Sequence, residues 1–158
     1  MTKNILWQNK TFAQLTTNEL YDILKLRVDI FVVEQTCYYP ELDDHDRHHD
    51  TLHIFYYQND KIQAYLRLLP KGLTYADHIS IGRVAVAEPA RGSGLGHELM
   101  QQALTVCQNS YPQQAIKISA QQHLESFYQQ HGFHTVSKMY LEDNIPHISM
   151  LRSAQQSE

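Results

Sequence analysis

At 158 residues the chain has the length of one ordinary domain, enough for a single substantial core. Apolar residues at 42% and charged residues at 19% match the balance of a globular protein that folds in water. The formal charge of −4 excludes the broad basic face of a nucleic-acid binder, and no apolar run approaches the roughly 18 residues of a membrane span. Cys37 and Cys107 lie far apart, so neither a disulfide framework nor a paired-cysteine zinc site is expected. The opening Met1-Thr2-Lys3-Asn4-Ile5 lacks the apolar core and cleavage site of a secretory signal, which makes the cytoplasm the expected location.

Without repeats, low-complexity tracts or linkers, residues 1–158 read as one domain. Ile5–Gln8 predicts a short first strand. Thr16-x-x-Glu19 has the form of a capping box, followed by Leu20, Ile23, Leu24, Val28 and Phe31 at the spacing of a buried helical stripe. Arg27 falls on that stripe, and a salt-bridged arginine at the edge of the core is expected there. Tyr38 to Asp50 reads as a polar loop. Leu52–Gln58 and Ile62–Leu69 make a hairpin about Asn59-Asp60. Ile79–Ala87 is the central strand and Gly94–Gln108 a helix with Leu95, Leu99, Ala103 and Val106 on one side. Ala115–Ala120 is a further strand and His123–Gln130 a short helix. Thr135–Leu141 and His147–Leu151 close the sheet about Asn144-Ile145-Pro146. The expected class is α/β, a central mixed sheet with helices on both faces.

The run Arg91-Gly92-Ser93-Gly94-Leu95-Gly96 carries the most chemical information. Glycines between a strand and a helix let backbone N–H groups converge on an anion, and the positive end of the helix adds to the same spot. A nucleoside triphosphate loop would need Gly-Lys-Ser/Thr, whereas Gly96 is followed by His97 and Glu98. A dinucleotide fingerprint needs a third glycine three residues after the second, and an acid closing the next strand. Here the glycines stand at 92, 94 and 96, and Ala115–Ser119 ends in no such acid.

Arg91-x-x-Gly94-x-Gly96 after Val84-Ala85-Val86 resembles the acyl-CoA motif of the GNAT superfamily of N-acyltransferases. Phe127-Tyr128-Gln129-Gln130-His131-Gly132-Phe133 is similar to its second signature, an aromatic-tyrosine helix ending in Gly-Phe. Phe31-Val32-Val33-Glu34-Gln35-Thr36-Cys37-Tyr38 with Glu41, Asp43 and Asp46, and the closing Pro146-His147-Ile148-Ser149-Met150, resemble the ElaA-like branch of that superfamily. The resemblance runs from about Leu20 to Met150. It implies a GNAT-type acyl-CoA N-acyltransferase fold in which two parallel strands splay apart around the donor. It also implies transfer of acetyl from acetyl-CoA to a primary amine by direct attack, without a metal.

By that resemblance, backbone groups of Arg91, Gly92, Ser93, Gly94, Leu95 and Gly96 hold the pyrophosphate, with His97 at the edge. Those of Val84, Ala85 and Val86 pair with pantetheine amides and the acyl carbonyl like an added half-strand. Tyr128 corresponds to the family's general acid, and a phenol near its ordinary pKa of about 10 stays protonated at neutral pH. An ammonium acceptor must lose a proton before it attacks. Glu34, Glu41, Asp43, Asp46, His78 and His147 are candidate bases, with Glu34 and His147 ranked first. Cys37 reads as pocket lining, since no oriented Cys-His-Asp set is visible.

Asp43–Asp50 reads as a solvated loop rather than a metal site, because adjacent His48 and His49 share no face in regular structure. The acidic balance favours a cationic acceptor. Two other functions fit the motifs: a catalytically silent acyl-CoA-binding module, and an acetyltransferase acting on protein lysines or N-termini. GNAT domains also pair through sheet edges or C-terminal strands, so a homodimer is an arrangement the resemblance admits.

Overall fold

The computed structural model describes residues 6–154. Its first half is an antiparallel sheet in the order β1 (Leu6–Lys10), β2 (Leu52–Gln58), β3 (Lys61–Leu69) and β4 (Ser80–Val86). Of the expected first strand, Ile5 lies outside the described residues. Asn59 and Asp60 join β2 to β3 with φ of 53° and 60°, the paired left-handed conformations of a two-residue hairpin turn. Strand alternation sends Ile54, Tyr56, Ala64, Leu66 and Leu68 to one face of this sheet and Phe55 and Tyr65 to the other.

Each face receives a helix. Helix α1 (Thr17–Arg27) starts at the expected capping box, with the Glu19 N–H donating to Thr16 Oγ1 at 3.0 Å and the Thr16 N–H to Glu19 Oε1 at 2.9 Å. It runs on as a π-helical segment, Val28–Glu34. The buried stripe is Ile23, Leu26, Arg27 and Ile30, while Leu20, Leu24, Val28 and Phe31 are half-buried. The stripe thus sits one step around the helix from the expected one. An arginine can occupy its centre because fixed carboxylates meet the charge there. Helix α2 (Leu95–Ser110) covers the opposite face with Leu95, Leu99, Met100, Ala103 and Cys107, leaving Val106 half-buried.

The second half is a sheet in the order β5 (Ile116–Gln121), β8 (Ile145–Arg152), β6 (His134–Thr135), with β7 (Tyr140–Glu142) also paired to β8. The single strand expected over 135–141 is therefore two short ones. Ser137 Oγ accepts the Ser149 N–H at 2.9 Å, so a side chain takes a hydrogen bond that a continuous ladder would use. Helix α3 (Glu125–Gln129) follows β5 after a tight turn over Gln122–Leu124.

The two sheets meet at one parallel bridge between Ile79 and Ile116, where the Lys117 N–H donates to the Ile79 carbonyl at 3.0 Å. Beyond it, among the described residues, β4 and β5 share no ladder and diverge. The result is the GNAT fold, mixed in sheet direction, with a gap between two parallel strands.

Candidate active site

The gap holds a cavity of about 220 Å³ lined by β4 from Ser80 to Val84, by Ile118, Ser119 and Gln121 of β5, by Tyr128 of α3 and by Glu142, Asp143, Ile145 and His147. Phe31, Gln35, Cys37 and Tyr39 close it from the segment after α1. One irregularity shapes the β4 wall. Tyr65 pairs with Ala85 but Arg67 pairs with Gly82, so β4 carries an extra residue. At this bulge Arg83 adopts φ of 53°, a left-handed conformation that disfavours an L-residue by about 1–2 kcal/mol. Such a bulge re-aims the backbone and frees it from the ladder.

What holds Arg83 there is a buried network. Arg83 Nε donates to Glu41 Oε2 at 2.8 Å and its Nη2 to the Glu41 carbonyl at 3.1 Å. The same Glu41 oxygen accepts from Arg27 Nε at 2.6 Å, and Arg27 Nη1 donates to Asp46 Oδ1 at 2.8 Å. Arg67 Nη1 bridges Asp46 at 2.9 Å and Asp43 at 2.8 Å. His53 completes the set, donating from Nε2 to the Asp46 carbonyl at 3.0 Å and accepting the Tyr65 hydroxyl at Nδ1, 2.7 Å away. Burial alone would raise the Asp43 carboxyl, yet hydrogen bonds and charge from Arg67, with Arg83 behind, hold it well below the carboxylate range. Asp46 is likewise lowered against its burial by Arg27 and Arg67. Burial lowers His53, which stays neutral.

The solvated loop expected over 43–50 is corrected accordingly. Asp46 is 6% exposed and Glu41 5%, and Glu41, Asp43 and Asp46 are spoken for by arginines rather than available as bases. Arg67 and Arg83 escaped the sequence reading. The signal was a charged residue inside Ala64-Tyr65-Leu66-Arg67-Leu68-Leu69, a strand buried on both sides. His48 and His49 also depart from expectation. In this irregular turn their rings stack at 4.4 Å beside Asp50, on the exposed surface and away from the cavity.

The glycine loop lies beyond the end of β4. Gly92 and Gly94 have φ of 82° and 83°, a conformation that glycine alone adopts freely. A Cβ on Gly96 would sit 3.5 Å from the Phe127 ring. Among the described residues, the N–H groups of Gly92 through Gly96 have no backbone acceptor, which fits a bound anion. The Arg91 side chain turns back, its Nε donating to the Val86 carbonyl at 3.0 Å and its Nη1 lying 3.0 Å from Glu34. Glu34 is thus exposed and paired beside the loop rather than in the cavity, and the Val86 carbonyl is already engaged. His97 Nδ1 lies 2.8 Å from His131 Nε2, both rings against Phe127.

Tyr128 reaches the cavity from α3. The Gly-Phe that follows it is a helix terminus: Gly132 has φ of 91°, its N–H donates to Gln129 O at 3.1 Å, and the Phe133 N–H to Tyr128 O at 3.2 Å. This paired C-terminal cap drops Phe133 into the core, where it meets the Tyr128 ring edge-on at 5.9 Å. Burial pushes the phenol up to about 12, and its hydroxyl bonds to no other described residue. On the far wall, His147 Nδ1 donates to the Ile145 carbonyl at 2.7 Å, which directs Nε2 toward Glu142 Oε2 at 3.3 Å. His78 is half-buried outside the lining. Cys37 lines the cavity with its thiol donating to the Asp143 carbonyl, and burial with the nearby Asp143 charge pushes it up, away from a thiolate.

Splayed strands, a bulged β4, a glycine turn and a buried tyrosine define an acyltransferase of the GNAT class, and the chain belongs to that family: the acetyltransferase (GNAT) domain matches residues 29–153. Within it the chain falls in the ElaA-like branch. Protein ElaA of Escherichia coli K12 is 40% identical over 153 residues, 97% of this chain and 99% of that one. The crystal structure of E. coli ElaA superposes with a TM-score of 0.89 over 94% of this chain and 99% of that chain. An acyl-CoA N-acyltransferase from Pseudomonas aeruginosa is 43% identical with a TM-score of 0.89, covering 95% and 100%. The acyl-homoserine lactone synthase BjaI, at 17% identity and a TM-score of 0.79 over 97% and 85%, shares the fold.

Proposed function

We propose that this protein is an N-acetyltransferase that moves the acetyl group of acetyl-CoA to a primary amine by direct attack in a ternary complex. The observation that carries the reading is the pairing, across one cavity at the open edge of β4, of a Tyr128 hydroxyl without a protein partner and a His147 Nε2 directed inward. The free N–H groups of Gly92 through Gly96 bind the donor's pyrophosphate, with His97 at the margin. The bulge at Arg83 leaves Val84 and Ala85 to meet the pantetheine arm, while Val86 contributes its shape. The relatives support an acyl-CoA donor: the P. aeruginosa structure is of an acyl-CoA N-acyltransferase, and BjaI was solved with isopentyl-CoA.

His147 removes the ammonium proton and the amine attacks the thioester. Tyr128 then donates a hydrogen bond to the departing sulfur. At about 12 the phenol is a weaker acid than an ordinary thiol, near 8.5. It therefore acts chiefly by stabilising the thiolate where charge develops. Glu34 positions Arg91 at the donor loop instead of serving as the base. A cavity of about 220 Å³ with Glu142 and Asp143 in its lining suits a small cationic amine.

Calorimetric titration with acetyl-CoA, beside dephospho-CoA and NAD, tests the donor. Micromolar binding restricted to the CoA compounds, followed by thiol release with a panel of primary amines, is the expected result. Absence of binding overturns the reading. Binding without release for any amine marks a silent acyl-CoA module, and release with lysine peptides alone marks a protein acetyltransferase.

A further inference from the structure

The β7–β8 hairpin concentrates polar side chains that no step above has used. Its turn is Asp143-Asn144, with φ of 51° and 63°, and its register sets Tyr140 opposite His147 and Glu142 opposite Ile145. Residues two apart on a strand share a face, so Tyr140 and Glu142 stand together beside the imidazole. Glu142 Oε2 is 3.3 Å from His147 Nε2, and Glu142 Oε1 accepts from Ser119 Oγ at 3.2 Å. Ser119 Oγ in turn lies 2.5 Å from the Tyr140 hydroxyl, whose ring stacks on His147 at 6.2 Å. The side chain of His147 is 9% exposed and that of Glu142 is 50% exposed. One end of the pair is dry and faces the cavity; the other is wet.

We propose that Glu142 is the positioning and relay residue of the base, carrying the acceptor's proton from His147 to solvent. This deepens the acetyltransfer reading and rests on it. The Ile145 carbonyl can only accept, so the neutral imidazole bears its hydrogen on Nδ1 and offers the Nε2 lone pair. An ammonium acceptor gives one proton to Nε2, forming imidazolium and free amine. The amine nitrogen bonds to the acetyl carbon and the carbon–sulfur bond breaks, leaving a thiolate that accepts the Tyr128 hydrogen bond; the nitrogen's second proton then neutralises that thiolate. The imidazolium proton moves to the Glu142 carboxylate and on to water. In sum, ammonium and thioester become amide, thiol and one released proton.

The other groups around the imidazole do not duplicate this role. From β5, Ser119 and Gln121 are neutral. Across the cavity, Arg67 and Arg83 are paired with Asp43 and Glu41. Tyr39, Tyr75, Tyr128 and Cys37 are all pushed up, chiefly by burial, and remain protonated. Asp143 engages Cys37 through its backbone carbonyl and makes no hydrogen bond to the imidazole. Glu142 is the anion in contact with Nε2.

The decisive experiment compares kcat and acetyl-CoA affinity in the intact protein, in Glu142→Gln, which keeps shape and removes charge, and in Glu142→Ala with and without added formate. With the best amine of the panel, kcat for Glu142→Gln falls about tenfold, and formate restores kcat to Glu142→Ala. Acetyl-CoA affinity stays as in the parent. An unchanged kcat in Glu142→Gln overturns the proposal, as does a failure of formate to restore Glu142→Ala. If acetyl-CoA binds and the intact protein acetylates no amine, the acetyltransfer reading falls and the relay with it, a result distinct from equal turnover in the intact protein and Glu142→Gln, which sinks the relay alone. Full turnover in His147→Gln removes His147 as the base and the Glu142 relay with it, and leaves acetyl transfer itself standing.

Discussion

Against α2 the β1–β4 sheet presents Ile54, Ala64, Leu66 and Leu68, and the helix answers with Leu95, Leu99, Met100 and Ala103. Against α1 the apolar patch is smaller, Ile23, Leu26 and Ile30 over Phe55, Tyr65 and Ala85. Beside it, Arg27, Arg67 and Arg83 interlock with Glu41, Asp43 and Asp46. Apolar contact is non-directional and scales with buried area. A guanidinium–carboxylate pair demands its own geometry. The α2 face therefore supplies stability and tolerates repacking. The α1 face trades that tolerance for placement: it pins the 41–46 loop and the Arg83 bulge, and Arg67 and Arg83 both line the cavity. The difference teaches that the ion pairs serve position more than stability, since buried pairs contribute little net energy once desolvation is counted.

Arg27→Met breaks the comparison hardest. Removing a fully buried cation leaves Glu41 with Arg83 alone and Asp46 with Arg67 alone among the arginines, with an expected loss of about 3–5 kcal/mol by urea unfolding and with acetyl transfer lost. Leu99→Ala, fully buried on the other face, is expected to lose about 2–5 kcal/mol, yet the folded fraction retains its acetyl-CoA affinity. An Arg27→Met protein as stable as the parent with full activity would show that the network positions nothing.

Acid sharpens the contrast. Asp43 and Asp46 titrate below their unfolded value, so their stabilisation is complete above the unfolded carboxylate pKa of about 3.9 and is lost as pH falls below it. His53 is lowered by burial, so the unfolded chain takes up its proton first. Stability therefore begins to fall once pH drops through about 6.5. Denaturation midpoints measured from pH 7.5 to 3 should decline in both windows, while Leu99→Ala shifts the whole curve without changing its shape.

At Gly94, φ of 83° makes Gly94→Val cost about 1–2 kcal/mol, and the thermal shift produced by acetyl-CoA should vanish with it. Smallest in stability is Tyr128→Phe, which removes a hydroxyl without a protein partner. Its melting temperature and acetyl-CoA affinity should match the parent, while kcat drops about 10²-fold. Unaltered kcat would remove Tyr128 from the reaction.

Local interactions were legible in the sequence. The capping box at Thr16 and Glu19, the Asn59-Asp60 turn and the glycines at 92 and 94 each depend on neighbours within a few residues. The family motifs around Gly94 and Tyr128 are short and contiguous for the same reason. The register choices were not legible. Arg27 was legible as a salt-bridged residue of the α1 stripe, but that the stripe passes through Leu26 rather than Leu24, with Arg27 fully buried at its centre, depends on carboxylates 14 and 19 residues away. Whether 135–141 is one strand or two depends on a single hydroxyl, Ser137.

Composition and local pattern by themselves determined an α/β chain with a glycine turn between strand and helix, because apolar periodicity and backbone conformation act over short range. Only the tertiary structure decided which acids are paired with arginines and which stands beside His147. Glu41, Asp43 and Asp46 looked available until Arg27, Arg67 and Arg83 arrived from other elements, and Glu142 became a neighbour of His147 only through the β7–β8 register. Charge pairing acts through space, and the distances it needs exist only after the chain has folded.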